Sequence, residues 1–469
     1  MITLFRHLVS TLIILSLIIV PVGNATAFSV GEEREVGEKL LYAVRASFTV
    51  MGDPDIQQYI DELGAEVLKV AGIQYFDYRF YIVESKEFNA FAAPSGLIFF
   101  YSKLIESMHS EDELVSVLAH EIGHVVKRHL ASRMEKGTAV SIASLGLALA
   151  AIALGGGGAA TGALVAGSMA ANQSAQLHFS REDEVEADLL AYQWLKAMGR
   201  DPEGQLKMLE TMRRITRYRS GQVPQYLLTH PNPEARMEYV ESLISAERGE
   251  FEITANRSDF EFLRFKYRIM SESSSNAVFR AYLVNKITGY EADSIETTMA
   301  WYGLSQLDKI EKNYDRAMIN LEKVMAKFPG SDLLQVDKAL IYKEMGKTSQ
   351  ALKMLKEVVE ADPFNMFATY HYAQILHGTG ESEKARNLLG DVAVSMPEYS
   401  KVYYDIGKIY ADEGKEPESR FYLGKYNLYE GKLKLATFNF TEASKNSKTP
   451  TELVEQSKEY LELIKRLKK

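Results

Sequence analysis

His120-Glu121-Ile122-Gly123-His124 sets two imidazoles four residues apart, with a carboxylate beside the first. On an α-helix that spacing puts His120 and His124 on one face, so both can offer a ring nitrogen to the same metal ion. Glu121 projects beside them. It is badly placed to be a third ligand and well placed to take a proton from a water activated by the metal. Imidazole and carboxylate donors with one open position suit catalytic zinc, so one Zn2+ per chain is the expected cofactor. The sequence contains no Cys, which removes thiolate ligands, a disulfide framework and a thiol nucleophile. His129 would fall on the opposite side of a continuous helix and is not expected to be a ligand.

A third ligand must come from another segment, and Ser180-Arg181-Glu182-Asp183-Glu184-Val185-Glu186-Ala187-Asp188 is rich in acids. The helix dipole accounts for Glu182 and Asp183 in a first turn but not for acids continuing to Asp188. Glu184 and Asp188 are four apart and share a face. One can therefore bind metal while the other holds a ligand imidazole through its second ring nitrogen, and Glu186 points away from both.

The elements that must position these groups follow from periodicity and punctuation. Val30 to Ala71 has apolar residues at helical spacing, with a break at Gly52-Asp53-Pro54. Tyr78 to Val83 and Leu97 to Tyr101 are aromatic and β-branched runs that predict two strands, joined by an irregular connection over Asn89-Ala90-Phe91-Ala92-Ala93-Pro94-Ser95-Gly96. Ser110 and Glu113 stand in capping-box positions and start a helix that runs through His120 and His124 towards Gly137. Ser180 and Asp183 start the acidic helix in the same way, and Gly199 lies near its end. Between these helices, Thr138 to Ala171 is uncharged, rich in Ala and Gly, and interrupted by Gly155-Gly156-Gly157-Gly158. Each of its apolar arms falls short of the roughly 20 residues of a membrane span. It reads as a helical hairpin or mobile lid beside the site that offers peripheral contact to a membrane surface or an apolar client.

The C-terminal part repeats. Ala317, Ala351 and Ala385 recur at a constant 34-residue interval, and Pro329, Pro363, Pro397 and Gly346, Gly380, Gly414 keep the same register. That is the tetratricopeptide period, in which helix pairs bury their apolar faces only by stacking on neighbours, giving a curved solenoid that binds protein segments.

At 469 residues the chain exceeds one ordinary core, and 46% hydrophobic with 25% charged residues is a globular composition. The net charge of -9 argues against a nucleic-acid partner. Met1 to Ala27 has a basic residue at Arg6, an apolar run from Leu8 to Val22 and small residues at Ala25 and Ala27, the three parts of an export signal. The expected organisation is a signal peptide over 1–27, a peptidase domain over 28–245, a helical connector or degenerate repeats over 246–296 and the repeats over 297–469. The expected fold class is mainly α with a small β-sheet in a zincin-like α+β domain, followed by an all-α solenoid.

The segments around Asn89, His120 and Ser180 together resemble the zinc peptidases related to HtpX and the CAAX prenyl proteases. With a signal peptide before them and tetratricopeptide repeats after them, they resemble the periplasmic, repeat-bearing branch of that family over essentially the whole chain. The resemblance implies His120, His124 and Glu184 as zinc ligands, Glu121 as general base and Asp188 as support for the ligand shell. Family members also carry a His-Pro segment, matched here by His230-Pro231-Asn232-Pro233-Glu234-Ala235-Arg236, whose His can fill the open zinc position and hold the enzyme inactive; a loop His packed against a Pro turn is the equal alternative. Displaced from the metal, His230 is also a candidate to stabilise the oxyanion. The strand residues Asn89, Ala90, Phe91 and Ala92 are expected to present an edge to which an extended substrate adds. The implied setting is the periplasm, and the implied partners are unfolded or stalled outer-membrane and envelope proteins, with the outer-membrane β-barrel assembly machinery as a further one. An assembly chaperone or scaffold with latent proteolysis is the alternative function.

Overall fold

The computed structural model describes residues 29–136, 179–218, 225–247, 252–255 and 259–468. The expected signal peptide and the 138–171 hairpin lie outside the described residues.

The N-terminal half is a four-stranded sheet between helices. Helix α1 (Val30–Ser47) leads through β1 (Val50–Met51) to α2 (Pro54–Ala71), then β2 (Arg79–Val83), β3 (Ala90–Ala93), a short 3-10 turn (Pro94–Gly96) and β4 (Leu97–Tyr101). The strand order is β1-β2-β4-β3, with β2 parallel to β4 and the outer two strands antiparallel to their neighbours. Side chains alternate across the strands. Phe80, Ile82, Ala92, Ile98 and Phe100 join the core under α2, whereas Tyr81, Val83, Phe91, Phe99 and Tyr101 meet Val36, Leu40 and Val44 of α1. A one-residue slip would exchange these faces, so burial on both sides fixes the register.

Two expectations change here. The connection over Asn89–Gly96 is not wholly irregular, because Ala90–Ala93 pairs with β4 as an edge strand, Phe91 opposite Phe99. A strand also separates α1 from α2, too short to show a period in the sequence.

After α3 (Ser102–Ser107) comes α4 (Glu111–Val126), the helix that carries the two spaced histidines. Ser110 caps it by accepting from the Glu113 amide, but the Glu113 carboxylate reaches back to the His109 amide rather than to Ser110. The helix stops at Val126, short of Gly137, and α5 (His129–Lys136) starts afresh after Arg128 takes a left-handed φ of 53°. Helix α6 (Arg181–Ala197) lies against α4, and α7 (Glu203–Tyr218), α8 (Gln225–Thr229) and α9 (Pro233–Ala246) close the domain around them.

Helix α10 (Asp259–Ser273) belongs to both halves of the molecule. Phe262, Phe265 and Ile269 enter the sheet-domain core, while Phe260, Tyr267 and Met270 enter the core of the helices that follow. Beyond α11 (Asn276–Gly289) run the helix pairs α12 (Ile295–Ile310) with α13 (Tyr314–Lys327), α14 (Asp332–Glu344) with α15 (Thr348–Ala361), α16 (Met366–Gly378) with α17 (Ser382–Ser395), α18 (Ser400–Asp412) with α19 (Glu416–Tyr429), and α20 (Leu433–Lys445) with α21 (Thr451–Leu467). The recurring alanines Ala317, Ala351 and Ala385 are wholly buried where paired helices touch. Gly346, Gly380 and Gly414 each take a positive φ at the turn inside a pair, the conformation that favours glycine. Lys312 adopts the same conformation one period before Gly346. The repeat geometry therefore reaches a turn where the glycine signal is missing.

The solenoid curls back onto the sheet domain. Glu398 between α17 and α18 pairs with Arg45 at 2.7 Å and also meets Arg79 and Tyr81, while Tyr42 of α1 packs with Phe421 and Phe440 near the C-terminus.

Candidate metal centre

Three helices and one turn converge on the centre. Helix α4 supplies His120 and His124 one turn apart, both about 2% exposed, with Glu121 wholly buried between them. Helix α6 supplies Glu184 and Asp188. Its start is fixed by a complete capping box, in which Ser180 accepts from the Asp183 amide and Asp183 accepts from that of Ser180. Gly123 faces Ala187 across the contact between the two helices, where a Cβ would stand in ordinary van der Waals contact at 3.4 Å. His230 comes from the turn after α8. Asn232 follows in a left-handed conformation, which Asn tolerates, and Pro233 starts α9 at its first turn.

Four donor groups meet: nitrogens of His120, His124 and His230 and a carboxylate oxygen of Glu184 all lie within 4.8 Å of one another. His124 Nε2 is 3.0 Å from His120 Nε2 and 3.4 Å from Glu184 Oε1, and His230 Nδ1 is 2.9 Å from the same carboxylate oxygen. Both oxygens of Glu121, Oε2 of Glu184 and Nε2 of His230 are buried without a hydrogen-bond partner. Leaving such groups unmatched is costly unless an ion or a reacting group completes them. Nitrogen and carboxylate donors in a small buried space fit a divalent transition metal.

The surroundings prepare these groups for that charge. Burial pushes the pKa of His124 well below the ordinary imidazole value, so its ring is neutral, as a metal ligand must be. Burial opposes ionisation of Glu184 and Asp188, but His230 and Arg236 hold the first well below the usual carboxylate range, and Arg236 with His120 holds the second at about 2. Asp188 Oδ1 stands 3.0 Å from His120 Nδ1. Arg236 donates to both oxygens of Asp188 at 2.7 and 2.8 Å and lies 2.8 Å from Glu184.

Glu186, with Lys127 at 2.6 Å, is on the outer side of α6, as its spacing implied. Glu182 and Asp183 stay outside the cluster. The edge residues Ala90 to Ala93 pack beside α4, and a small cleft lined by Ala92, Ala93, His124 and Phe179 joins the strand to the centre. Asn89 lies just before the strand, its carbonyl accepting from the Tyr101 amide at 3.0 Å.

Four residues at the centre were not singled out from sequence. Arg236 is the most consequential, and its position six residues after His230 on a new helix was the available signal. Phe179 stacks on His124 with ring centroids 3.8 Å apart, Tyr226 stacks on His230 at 4.3 Å, and Gln205 donates to Asp188 at 3.2 Å. These three carry no spacing pattern. His129 is the clearest departure, because the break after Val126 turns it back beside His124 instead of away.

Residues 54–244 match peptidase family M48, and residues 310–368 match a tetratricopeptide repeat. The chain carries a peptidase family M48 domain followed by tetratricopeptide repeats. It is a metalloendopeptidase. The beta-barrel assembly-enhancing protease of Escherichia coli (strain K12) is 28% identical over 369 residues, covering 78% of this chain and 74% of that protein. The protein of the same name from Yersinia pestis is 31% identical over 307 residues, 65% of this chain and 61% of its own. The metalloprotease LoiP of Escherichia coli (strain K12) aligns with 36% of this chain at 28% identity, covering 64% of its own length. Among the described residues no helix is long and apolar enough to cross a membrane.

Proposed function

We propose that this metallopeptidase is an exported, periplasmic zinc enzyme that degrades misfolded or stalled outer-membrane proteins recruited by its repeats. His120, His124 and Glu184 hold the ion, and Asp188 orients His120. The observation that carries the reading is Glu121, a wholly buried carboxylate with neither oxygen matched, set beside the ligand helix face. Zinc held by these residues would supply Lewis acidity, lowering the pKa of a water to about 7 and polarising the scissile carbonyl. Glu121 would take the proton from the attacking water as the new C–O bond forms and return it to the amine as the peptide C–N bond breaks. Phe91 and its neighbours on β3 hold the substrate as an added strand, through backbone hydrogen bonds that demand little of its sequence. A cavity of about 850 Å³ between β1 and the solenoid, lined by Met51, Tyr399 and Lys401 among others, lies at the edge of the sheet opposite β3 and is separate from the metal centre. The shared name of two relatives supports a role in β-barrel assembly, with its machinery as a further partner.

Purified protein and its Glu121→Gln variant should bind equal zinc, and only the first should cleave an unfolded β-barrel protein. Equal cleavage by both would remove the role of Glu121. A second reading, a chaperone with latent proteolysis, is favoured by the position of His230 among the donors, where it competes with water and substrate. On that reading His230→Ala raises basal cleavage while zinc is retained; unchanged or lower cleavage counts against it.

A further inference from the structure

His129 is buried, 4% exposed, and its surroundings leave little freedom in how its protons are arranged. Lys127 and Arg128 close a tight turn at the end of α4, with the Arg128 amide donating to the Val125 carbonyl at 2.9 Å. The turn returns the chain so that His129 Nδ1 stands 2.8 Å from His124 Nδ1. His129 Nε2 stands 3.0 Å from Glu186 Oε2, and Asp183, at 3.8 Å, is already engaged by Arg133.

Two ring nitrogens at that distance share one proton, so one donates and the other accepts. His124 turns Nε2 towards the donor cluster, and a nitrogen that binds metal carries no proton. Its proton therefore sits on Nδ1 and is donated to His129 Nδ1. That leaves the proton of neutral His129 on Nε2, donated to Glu186. Each step fixes the next, and Lys127 at 2.6 Å keeps the Glu186 carboxylate charged and in place.

We propose that His129 is a positioning residue for this metal centre: through a carboxylate–imidazole–imidazole series from Glu186 it fixes the tautomer and ring plane in which His124 binds metal. The proposal rests on His124 being a ligand. Whereas His120 is supported directly by a buried carboxylate, His124 is supported through a neutral ring that ends on a half-exposed one.

The test uses the full-length exported protein and two variants, with zinc affinity read by competition with a chromophoric chelator and ligand geometry read from the visible absorption of the cobalt-substituted protein. His129→Phe fills the space but cannot accept from His124. It should lose about 10- to 100-fold in zinc affinity and change the cobalt bands, while the metal-free melting temperature stays near that of the parent. His129→Asn, whose carbonyl oxygen can take the place of Nδ1, should recover most of both signals. Parental affinity and cobalt bands in His129→Phe would overturn the proposal, as would equal losses in both variants accompanied by a lower metal-free melting temperature, which would make His129 a packing residue. If the parent itself takes up no metal, the reading of the centre fails first, a result distinct from any difference between variants.

Discussion

Two of the buried charge clusters among the described residues differ in how fully their polar atoms are matched. At the contact between the sheet domain and the solenoid, Arg268 lies 2.9 Å from Asp53, 3.0 Å from Asp55 and 3.1 Å from Asp337, and covers the Phe367 ring at 4.5 Å. Arg264 pairs with Asp55 and with Glu261, and Tyr302 donates to Asp337 at 3.0 Å. Every carboxylate there meets a guanidinium. At the metal centre Glu184 and Asp188 also meet a guanidinium, that of Arg236, but both oxygens of Glu121, Oε2 of Glu184 and Nε2 of His230 are buried without a hydrogen-bond partner. Matched buried charge joins two bodies in one register; unmatched buried charge is kept for chemistry.

The largest expected effect breaks the matched cluster. Arg268→Met should strand Asp53 and Asp337 and destabilise the protein by about 3–5 kcal/mol, read by urea unfolding. An unchanged midpoint would mean that the contact between the halves does not depend on this charge. Next comes Asp188→Asn, which keeps the shape of the side chain but removes the charge that Arg236 and His120 share. Zinc affinity should fall about 10- to 100-fold with little change in metal-free stability. A large loss of stability instead would show that Asp188 serves the fold, through its pairing with Arg236, more than the metal.

The smallest effect is a pH slope. Burial beside the interdomain cluster depresses the pKa of His371 from the ordinary imidazole value of 6.5 to about 4. The unfolded chain therefore binds the proton first, and the contribution of this group is fully present above pH 6.5 and lost as pH falls towards 4. Thermal unfolding at stepped pH should show His371→Gln declining less than the parent across that interval. Parallel curves would mean that the slope arises elsewhere, with His124 at the metal centre the first alternative.

Legibility followed the range of the interactions. His120 and His124 share a helix, and Glu184 with Asp188 share another, so four-residue spacing was enough to pair them. The repeat was equally plain, because three residue types recur for a reason internal to each helix pair. Periodicity alone read the stretch as an irregular connection, because Ala90 to Ala93 is too uniformly apolar to show a period of two when both faces are covered, and the expected edge at Asn89 to Ala92 came from the resemblance.

What the sequence determined by itself was local: the donor types, their spacing on two helices, the absence of any thiol and the register of the solenoid. Tertiary structure decided the rest. It put Arg236 between Glu184 and Asp188 and swung His230 into the cluster. It also ended α4 at Val126, so that His129, which a continuous helix would have sent away from the centre, stands 2.8 Å from His124. Helical spacing is set by each residue's own backbone, whereas a break after Val126 depends on what the next helix must pack against, and that is not written in the spacing.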